Sequence, residues 1–192
     1  YKRQTLMNEN YSHPKRPKSA TTENIIKGAY KYLENKDPSL RILASGVTLN
    51  FAIDAEKELK KLGISTEIWS ITSFNELYKD GIEVERLNRY ENKKSVSYVE
   101  SCFSECLPTV AVSEYVRAYT NQIRQWVNGD YVTLGTDGFG RSDTREELRN
   151  YFEISKDHIV INALIVSGNK DKAEKYIKDK KIDLNSKAPW LR

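Results

Sequence analysis

Apolar residues along this chain fall into short continuous runs separated by longer amphipathic stretches. The runs predict four buried strands, at Leu40–Gly46, Ser65–Ile71, Leu107–Glu114 and Asp130–Thr136. Between the first two lies Thr48–Gly63, with apolar residues at helical spacing and a glycine suited to end a helix. Because alternating strands and helices build a sheet covered on both faces, the sequence predicts an α/β domain with a largely parallel sheet.

The remaining segments are assigned from helical spacing, capping residues and chain breakers. Thr22 precedes apolar residues three and four apart, which predicts a helix through Glu23–Leu33. Residues 155–168 fit a buried strand or a helix, and the helix is favoured because Ser155 can cap it. Further helices are predicted at residues 73–81, 115–127, 144–152 and 169–179, a short strand at residues 1–7, an extended linker at residues 12–20 and irregular structure at residues 83–98.

Length and charge narrow the class of protein. The 192 residues suit one domain with a real core, and 31 Lys and Arg against 27 Asp and Glu leave a net charge of only +4. The lysine clusters are therefore interpreted as a solvated face rather than a nucleic-acid surface. No apolar run approaches the ~18 residues that span a bilayer. From the charge and from the apolar runs, respectively, neither a nucleic acid nor a membrane is expected as a partner.

Two cysteines and two histidines offer little for metal or redox chemistry. Cys102 and Cys106 have C-x3-C spacing, and two thiolates alone cannot complete a tetrahedral zinc site. Free thiols are favoured over a disulfide or a redox or metal role, which fits a cytoplasmic protein. His13 and His158 lie far apart, and His158 is interpreted as a packed histidine rather than a catalyst.

The stretch LGTDGFGRSDTREE, from Leu134 to Glu147, joins the last predicted strand to a helix and contains three glycines. Such loops can hold a phosphate, but the spacing is not G-x-G-x-x-G and no G-K-[ST] follows. Asp137 and Asp143 would also repel an anion in this loop. An architectural turn is therefore favoured, with Gly138 and Gly140 adopting positive φ.

The same loop supplies the candidate contact residues. Asp143 and Glu146 have capping-box spacing, so Asp143 or Thr144 is expected to start the following helix. Arg141 and Arg145 are candidates for pairing with carboxylates across a domain or subunit contact. The predicted interface residues are therefore Arg141, Asp143 and Arg145.

Small polar residues lie at the ends of the first two predicted strands, and SEYVRAY (Ser113–Tyr119) lies at the end of the third, where doubly wound sheets bind ligands. These three ends could form a polar cleft, but helix caps and turns are the favoured interpretation. No nucleophile has a histidine nearby in the sequence, so no catalytic, cofactor-binding or metal-binding residue is predicted. The residues in question are Ser45, Gly46, Thr48, Thr72, Ser73 and Asn75.

Four blocks of the chain closely resemble one family. They are LMNENYSHP, WSITSFNELYKDGIEVERLNR, YVRAYTNQIRQWV and LGTDGFGRSDTREELRNYFEI, all within residues 6–165. These blocks are similar to the C-terminal part of the homodimeric bacterial pyruvate dehydrogenases, which are transketolase-like thiamine-diphosphate enzymes. The resemblance implies a three-layer α/β/α sandwich around a five-stranded, mostly parallel mixed sheet with one antiparallel strand. It also implies that residues 1–21 are an extended segment and linker, and that residues 22–192 are the transketolase-type C-terminal domain.

What the resemblance implies about activity concerns the whole enzyme. Family members decarboxylate pyruvate oxidatively with thiamine diphosphate and Mg²⁺, and they pass the acetyl group to a dihydrolipoyl acetyltransferase. Their G-D-G…N-N cofactor motif is absent here, so no family site residue is transferred to this chain. The implied role is structural: packing on the enzyme's own upstream domains and on the second subunit of the homodimer.

Two expectations about function therefore stand. The chain is either a non-catalytic domain of such an enzyme or a free-standing α/β module for interaction or small-ligand binding. It begins at Tyr1 rather than Met, which favours a piece of a longer protein. Alone, it is expected to show no pyruvate dehydrogenase activity. Residues 88–105 and the tail at residues 187–192 depart from the family's pattern.

Overall fold

The strands of the protein form one mixed sheet. The structure is a computed structural model that describes residues 9–91, 94–183 and 185–192. Its strands are β1 (Ala29–Glu34), β2 (Leu40–Ala44), β3 (Thr66–Ile71), β4 (Thr109–Val112) and β5 (Tyr131–Leu134). Their order across the sheet is β1-β3-β2-β4-β5, in which β1 is antiparallel to β3 and the other pairs are parallel.

Helices cover both faces of this sheet. One face packs on α2, α7 and α8, and the other packs on α3, α4 and the segment around Trp126. The helices are α1 (Thr22–Lys27), α2 (Thr48–Lys61), α3 (Phe74–Glu91), α4 (Tyr98–Cys102), α5 (Arg117–Asn121), α6 (Arg145–Tyr151), α7 (Lys156–Val166) and α8 (Lys170–Lys180), with 3-10 turns at Arg124–Trp126 and Pro189–Leu191.

The central strand β2 shows why two helical layers are needed. Successive side chains of a strand point to opposite faces, and all five residues of β2 are buried. Ile42 packs in the cluster with α2 and α7, whereas Leu43 packs in the cluster with α3 and α4. A strand that is apolar on both faces must be covered on both faces. The predicted three-layer α/β/α fold with a mostly parallel five-stranded sheet is therefore confirmed.

The prediction of a helix through Glu23–Leu33 is wrong. The helix α1 is capped by Thr21 and stops at Lys27, and the chain then becomes the antiparallel edge strand β1. Gly28 ends the helix with φ of 107°, and a Cβ at this position would lie 2.6 Å from the Ser73 carbonyl oxygen. This close approach depends on a residue 45 positions away, so helical spacing alone did not reveal it.

The irregular structure predicted for residues 83–98 is also wrong in its first half. A single helix, α3, continues to Glu91. Its outer face carries charged pairs three or four residues apart, which support a polar helix. The pairs are Lys79–Glu76, Arg86–Glu83 and Arg89–Glu85.

The predicted helix at residues 115–127 is divided into α5 and a 3-10 turn ending at Trp126. The indole of Trp126 lies against Gly81 in the middle of α3, where a Cβ would come within 2.5 Å of the ring. This packing explains a glycine inside a helix, a position that otherwise costs stability.

The helices predicted at residues 48–63, 144–152, 155–168 and 169–179 are confirmed as α2, α6, α7 and α8. The strand predicted for residues 1–7 lies outside the described residues.

A buried ion pair joins the two central strands. Arg41 of β2 lies directly beside Glu67 of β3, and Arg41 Nε is 2.5 Å from Glu67 Oε1. Each side chain is only 1% exposed. Lys31 of β1 approaches the other carboxylate oxygen at 3.0 Å, and Trp69 Nε1 donates to Oε1 at 3.1 Å. Burial alone would raise the pKa of the Glu67 carboxyl, but hydrogen bonds from Arg41 and Lys31 outweigh burial and hold the pKa below its usual value.

Replacing Glu67 by Gln should lower the free energy of unfolding by about 3–5 kcal/mol, because the Arg41 charge would stay buried without its counter-charge. Urea unfolding followed by circular dichroism measures this loss. The matched control is Glu83→Gln, which breaks an exposed pair with Arg86 and should leave the unfolding midpoint nearly unchanged, because solvent screens that pair.

The sign of the pH dependence follows from the lowered pKa of Glu67. The ion pair contributes fully above the unfolded-state pKa of about 4.3 and is lost as pH falls through the folded-state pKa. The stability difference between the wild-type chain and Glu67→Gln should therefore shrink below about pH 4. Equal losses for Glu67→Gln and Glu83→Gln would contradict a central role for the pair.

Candidate functional site

The carboxyl ends of the four parallel strands meet at one edge of the sheet. In open α/β sheets this edge is where ligands bind, so it is the first place to look for a site. The connections that leave it begin at Ser45, Thr72, Ser113 and Gly135. The polar groups of these connections form hydrogen bonds and ion pairs largely with one another and with the segments packed against them.

The small polar residues after β2 and β3 serve as turns and caps. Thr48 Oγ1 donates to the Ser45 carbonyl oxygen at 2.8 Å and also lies 3.1 Å from the Val112 carbonyl oxygen. Ser73 Oγ accepts the Glu76 N–H at 3.2 Å in the first turn of α3. The interpretation as turn and cap is confirmed for Thr48 and Ser73, since their hydroxyl groups satisfy backbone atoms.

The glycine-containing loop after β5 packs on the chain's own C-terminal tail. Gly138 has φ of 105°, as predicted, but Gly140 does not adopt a positive φ. A Cβ at Gly138 would lie 3.1 Å from both the Pro189 carbonyl oxygen and the Trp190 Cα. The C-terminal tail departs from the family's sequence pattern, whereas this loop follows it. The two segments lie directly against each other.

An arginine from the preceding connection anchors this loop. Arg117 Nε is 2.5 Å from Asp137 Oδ2, and its backbone N–H reaches the same oxygen at 3.4 Å. The Arg117 guanidinium also stacks on the Trp190 ring at 4.0 Å. Asp137 is therefore neutralised inside the chain, which is the arrangement of an architectural turn. Sequence spacing gave no signal for this pairing, because 20 residues separate the partners.

The expected capping box of Asp143 with Glu146 is wrong. Thr144 is the N-cap of α6, and its hydroxyl accepts the Glu147 N–H at 3.3 Å. Asp143 precedes the cap, and its side chain accepts the Thr144 N–H at 2.7 Å. The alternative that Thr144 starts the helix is confirmed. Thr144 has the extended backbone of an N-cap residue, with ψ of 153°, and its hydroxyl therefore reaches the Glu147 N–H.

The predicted interface arginines have partners within the chain. Arg141 donates to the Arg192 carbonyl oxygen at 2.6 Å and to the Tyr151 hydroxyl at 3.2 Å. Arg145 Nε is 3.1 Å from Glu9 Oε1. Arg141, Asp143 and Arg192 border an open cleft of about 350 Å³ beside α6. The contact of these residues with another domain or subunit stays a prediction.

A third arginine was missed from the sequence. Arg149 of α6 lies 3.1 Å from Glu114 Oε1 and donates to the Tyr11 hydroxyl at 2.7 Å. Burial would lower the pKa of Arg149, but hydrogen bonds to Tyr11 and Glu114 outweigh it and raise the pKa. The one available signal was the position of Glu114 at the end of a predicted strand.

His158 lies in α7, and the two cysteines lie on and just after α4. His158 Nδ1 is 2.9 Å from Ser155 Oγ at the start of α7, and burial lowers the His158 pKa. Cys102 is half-buried and Cys106 is exposed, and both are free thiols. Burial raises the pKa of the Cys102 thiol, which makes it a poor nucleophile.

Within the described ranges, no group of three His, Cys, Asp or Glu side chains is placed to hold a metal ion. Over the same residues, none of the helices combines the length and apolar character needed to cross a membrane.

The fold agrees with a match to a known family. The family described as "Transketolase-like TK C-terminal domain" matches residues 28–155, and the chain belongs to this family. Solved transketolases share the architecture. The enzyme from Leishmania mexicana has a TM-score of 0.58 and 20% identity, over 79% of this chain and 19% of its own. A Pichia stipitis transketolase has a TM-score of 0.58 and 18% identity, over 82% of this chain and 20% of its own. At such identities the likeness shows the fold alone.

Sequence relatives are more specific. The pyruvate dehydrogenase E1 component of Pseudomonas aeruginosa is 46% identical in an alignment of 168 residues, which covers 83% of this chain and 19% of the relative. That of Cupriavidus necator is 38% identical in an alignment of 198 residues, gaps included, which covers 96% of this chain and 22% of the relative. That of Escherichia coli K12 is 39% identical over 166 residues, covering 83% and 18%. The chain thus spans about a fifth of the length of these relatives. The resemblance to the C-terminal part of the pyruvate dehydrogenase E1 family is confirmed.

Replacing Thr144 by Ala should lower the free energy of unfolding by ~0.5–2 kcal/mol, because the Glu147 N–H would lose its cap. Asp143→Ala is the matched control, since Asp143 is exposed and does not cap the helix, and it should change stability by no more than about 0.5 kcal/mol. Urea unfolding of both variants measures the difference. A larger loss for Asp143→Ala than for Thr144→Ala would restore Asp143 as the cap.

Proposed function

We propose that the chain is the C-terminal assembly domain of a thiamine-diphosphate-dependent pyruvate dehydrogenase. The observation that carries this proposal is the 46% identity to an E1 component over 83% of the chain, together with the matching family domain. The whole enzyme would decarboxylate pyruvate oxidatively and pass the acetyl group to the lipoyl group of a dihydrolipoyl acetyltransferase. It would work in the cytoplasm as a homodimer.

Within that enzyme, residues 22–192 would form the transketolase-type domain, and residues 1–21 would lead into it from the preceding part of the chain. The proposed partners of the domain are the enzyme's own upstream domains and the second subunit. The acetyltransferase component is the proposed partner of the whole enzyme.

The residues of this chain do not fit a site for thiamine diphosphate and Mg²⁺. Asp137, in the loop that would have to hold the diphosphate, is already paired with Arg117. Asp143 adds a negative charge beside the start of α6, and the Thr144 hydroxyl already accepts the Glu147 N–H in the first turn of that helix. An anion there would meet the Asp143 carboxylate and a partly capped helix start. This supports a cofactor held by other domains of the enzyme.

Exposed apolar side chains beside this loop support a role in assembly. Phe139 is 85% exposed, and Tyr115, Val116, Trp190 and Leu191 are exposed around the same strand ends. Aromatic and arginine side chains are enriched in protein interfaces, and a group of exposed apolar residues commonly marks one. The loop presents Phe139 next to Arg141, so it offers both kinds of residue to one partner surface.

The isolated chain should show no stoichiometric binding of thiamine diphosphate with Mg²⁺ at micromolar affinity, because its carboxylates and capped helix start oppose a diphosphate. Isothermal titration calorimetry measures this, with the full-length enzyme as the positive control. Stoichiometric micromolar binding by the chain alone would overturn the assignment as a non-catalytic domain.

Replacing Phe139 by Ser in the full-length enzyme should raise the dissociation constant of the subunits by about tenfold, the size expected for an interface residue worth about 1.4 kcal/mol. The side chain is too exposed to contribute much to folding. Arg141→Met should act in the same direction. Analytical ultracentrifugation measures assembly, and a cofactor titration at concentrations where the dimer persists should give unchanged affinity.

The matched control is Tyr90→Ser, which removes an aromatic ring that is 78% exposed on α3, outside this group of residues. It should leave assembly unchanged. If Phe139→Ser and Arg141→Met assemble like the control, the loop is not part of a subunit contact.

A further inference from the structure

The N-terminal segment at residues 9–12 lies against α6. Tyr11 accepts a hydrogen bond from Arg149 Nη2 at 2.7 Å, and Glu9 pairs with Arg145 at 3.1 Å. Glu9 also accepts the Tyr11 hydroxyl at 2.8 Å. The segment therefore meets two arginines that lie one helical turn apart on the same face of α6.

Arg149 is the centre of this contact. Its guanidinium lies 4.6 Å from the Phe51 ring centroid and 5.6 Å from the Tyr11 ring centroid. Its remaining partner is the carboxylate of Glu114 at 3.1 Å. Phe51 belongs to α2, Glu114 follows β4, and Arg149 follows β5. Three connections at the carboxyl edge of the sheet thus converge on one side chain.

The two arginines differ in how firmly they can hold the segment. The Arg149 side chain is 14% exposed, while Arg145 is 31% exposed and pairs with a Glu9 that is 48% exposed. Exposed ion pairs are screened by solvent and contribute little. The Arg149 guanidinium is shielded from solvent, lies near two aromatic rings and has a carboxylate and a hydroxyl as partners. It therefore contributes more to holding the segment.

We propose that Arg149 is a positioning residue that clamps the N-terminal segment across the carboxyl edge of the sheet and so fixes where the preceding polypeptide meets the domain. The clamp occupies the crevice in which open α/β sheets bind ligands. Glu114, Arg145 and Arg149 line the remaining cleft of about 170 Å³. All these contacts lie within the chain, so the role of Arg149 does not depend on the enzyme in which the chain works.

A second set of contacts holds the segment farther along. Ser19 donates to the Lys31 carbonyl oxygen, and Asn24 Nδ2 donates to the Ser19 carbonyl oxygen at 2.9 Å. Lys15 lies between the Arg149 clamp and this second anchor, and Lys18 lies next to the second anchor. Both lysine side chains are exposed, and trypsin can cut after each of them, whereas proline protects the Arg16–Pro17 bond. The two bonds thus report separately on the two anchors.

The experiment is limited proteolysis of the full chain with trypsin, with initial rates at the two bonds measured by mass spectrometry. Arg149→Met should raise the rate after Lys15 by about fivefold, because local opening of the segment becomes easier. The rate after Lys18 should change by less than about twofold, because its anchor is intact. Tyr11→Phe, which removes one hydroxyl, should raise the rate after Lys15 by a smaller factor.

The matched control is Arg86→Met. Arg86 also sits on a helix, pairs with one carboxylate and lies 5.9 Å from a tyrosine ring, but these contacts lie within α3, away from the described part of the N-terminal segment. It should leave both rates unchanged. An unchanged rate after Lys15 in both Arg149→Met and Tyr11→Phe would overturn the proposal. So would equal increases at the two bonds, because these indicate general loss of stability instead of release of the segment.

Discussion

The ion pair of Arg41 with Glu67 is the interaction on which the sheet most depends. It joins neighbouring residues of β2 and β3, with both side chains almost fully buried. A slip of one residue would move Arg41 to the opposite face of the sheet, away from Glu67 and into the packing of α2 and α7. Two buried charges without partners are far more costly than a lost surface contact, so the pair disfavours that alternative. Lys31 extends the same constraint to the edge strand β1.

At the opposite end of the sheet, arginines organise the connections and both described ends of the chain. Arg117 joins the β5 loop to the C-terminal tail through Asp137 and Trp190, and Arg149 joins α6 to the N-terminal segment through Tyr11. The edge where many α/β domains place a ligand is therefore filled by contacts within the chain. This is the arrangement expected of a domain that supports an enzyme, and it leaves Phe139 and its exposed neighbours for contact with a partner.

The loop after β5 shows how far motif reasoning carries. Its acidic residues and its departure from phosphate-binding spacing favoured a turn over an anion site, and Gly138 does adopt the positive φ expected of a turn. The assignment of the cap to Asp143 failed because spacing fits Asp143–Glu146 and Thr144–Glu147 alike, and the hydrogen bond from the Glu147 N–H to the Thr144 hydroxyl decides between them. Arg141 and Arg145 were identified as pairing residues, but their partners, the tail carbonyl and Glu9, lie on segments with no periodic signal.

The sequence by itself determined the parallel strands β2 to β5, the helices α2 and α8, and the family, and it favoured α7 over a strand. Periodicity and turn residues are local properties, and long matching blocks are read directly. Only the tertiary structure decided that Gly28 divides a helical pattern into α1 and β1, because Ser73 lies against that glycine. It also decided the partners of Arg149, which bonds Tyr11 across 138 residues of chain. Contacts at such separations depend on how the layers pack, and no spacing along the chain encodes them.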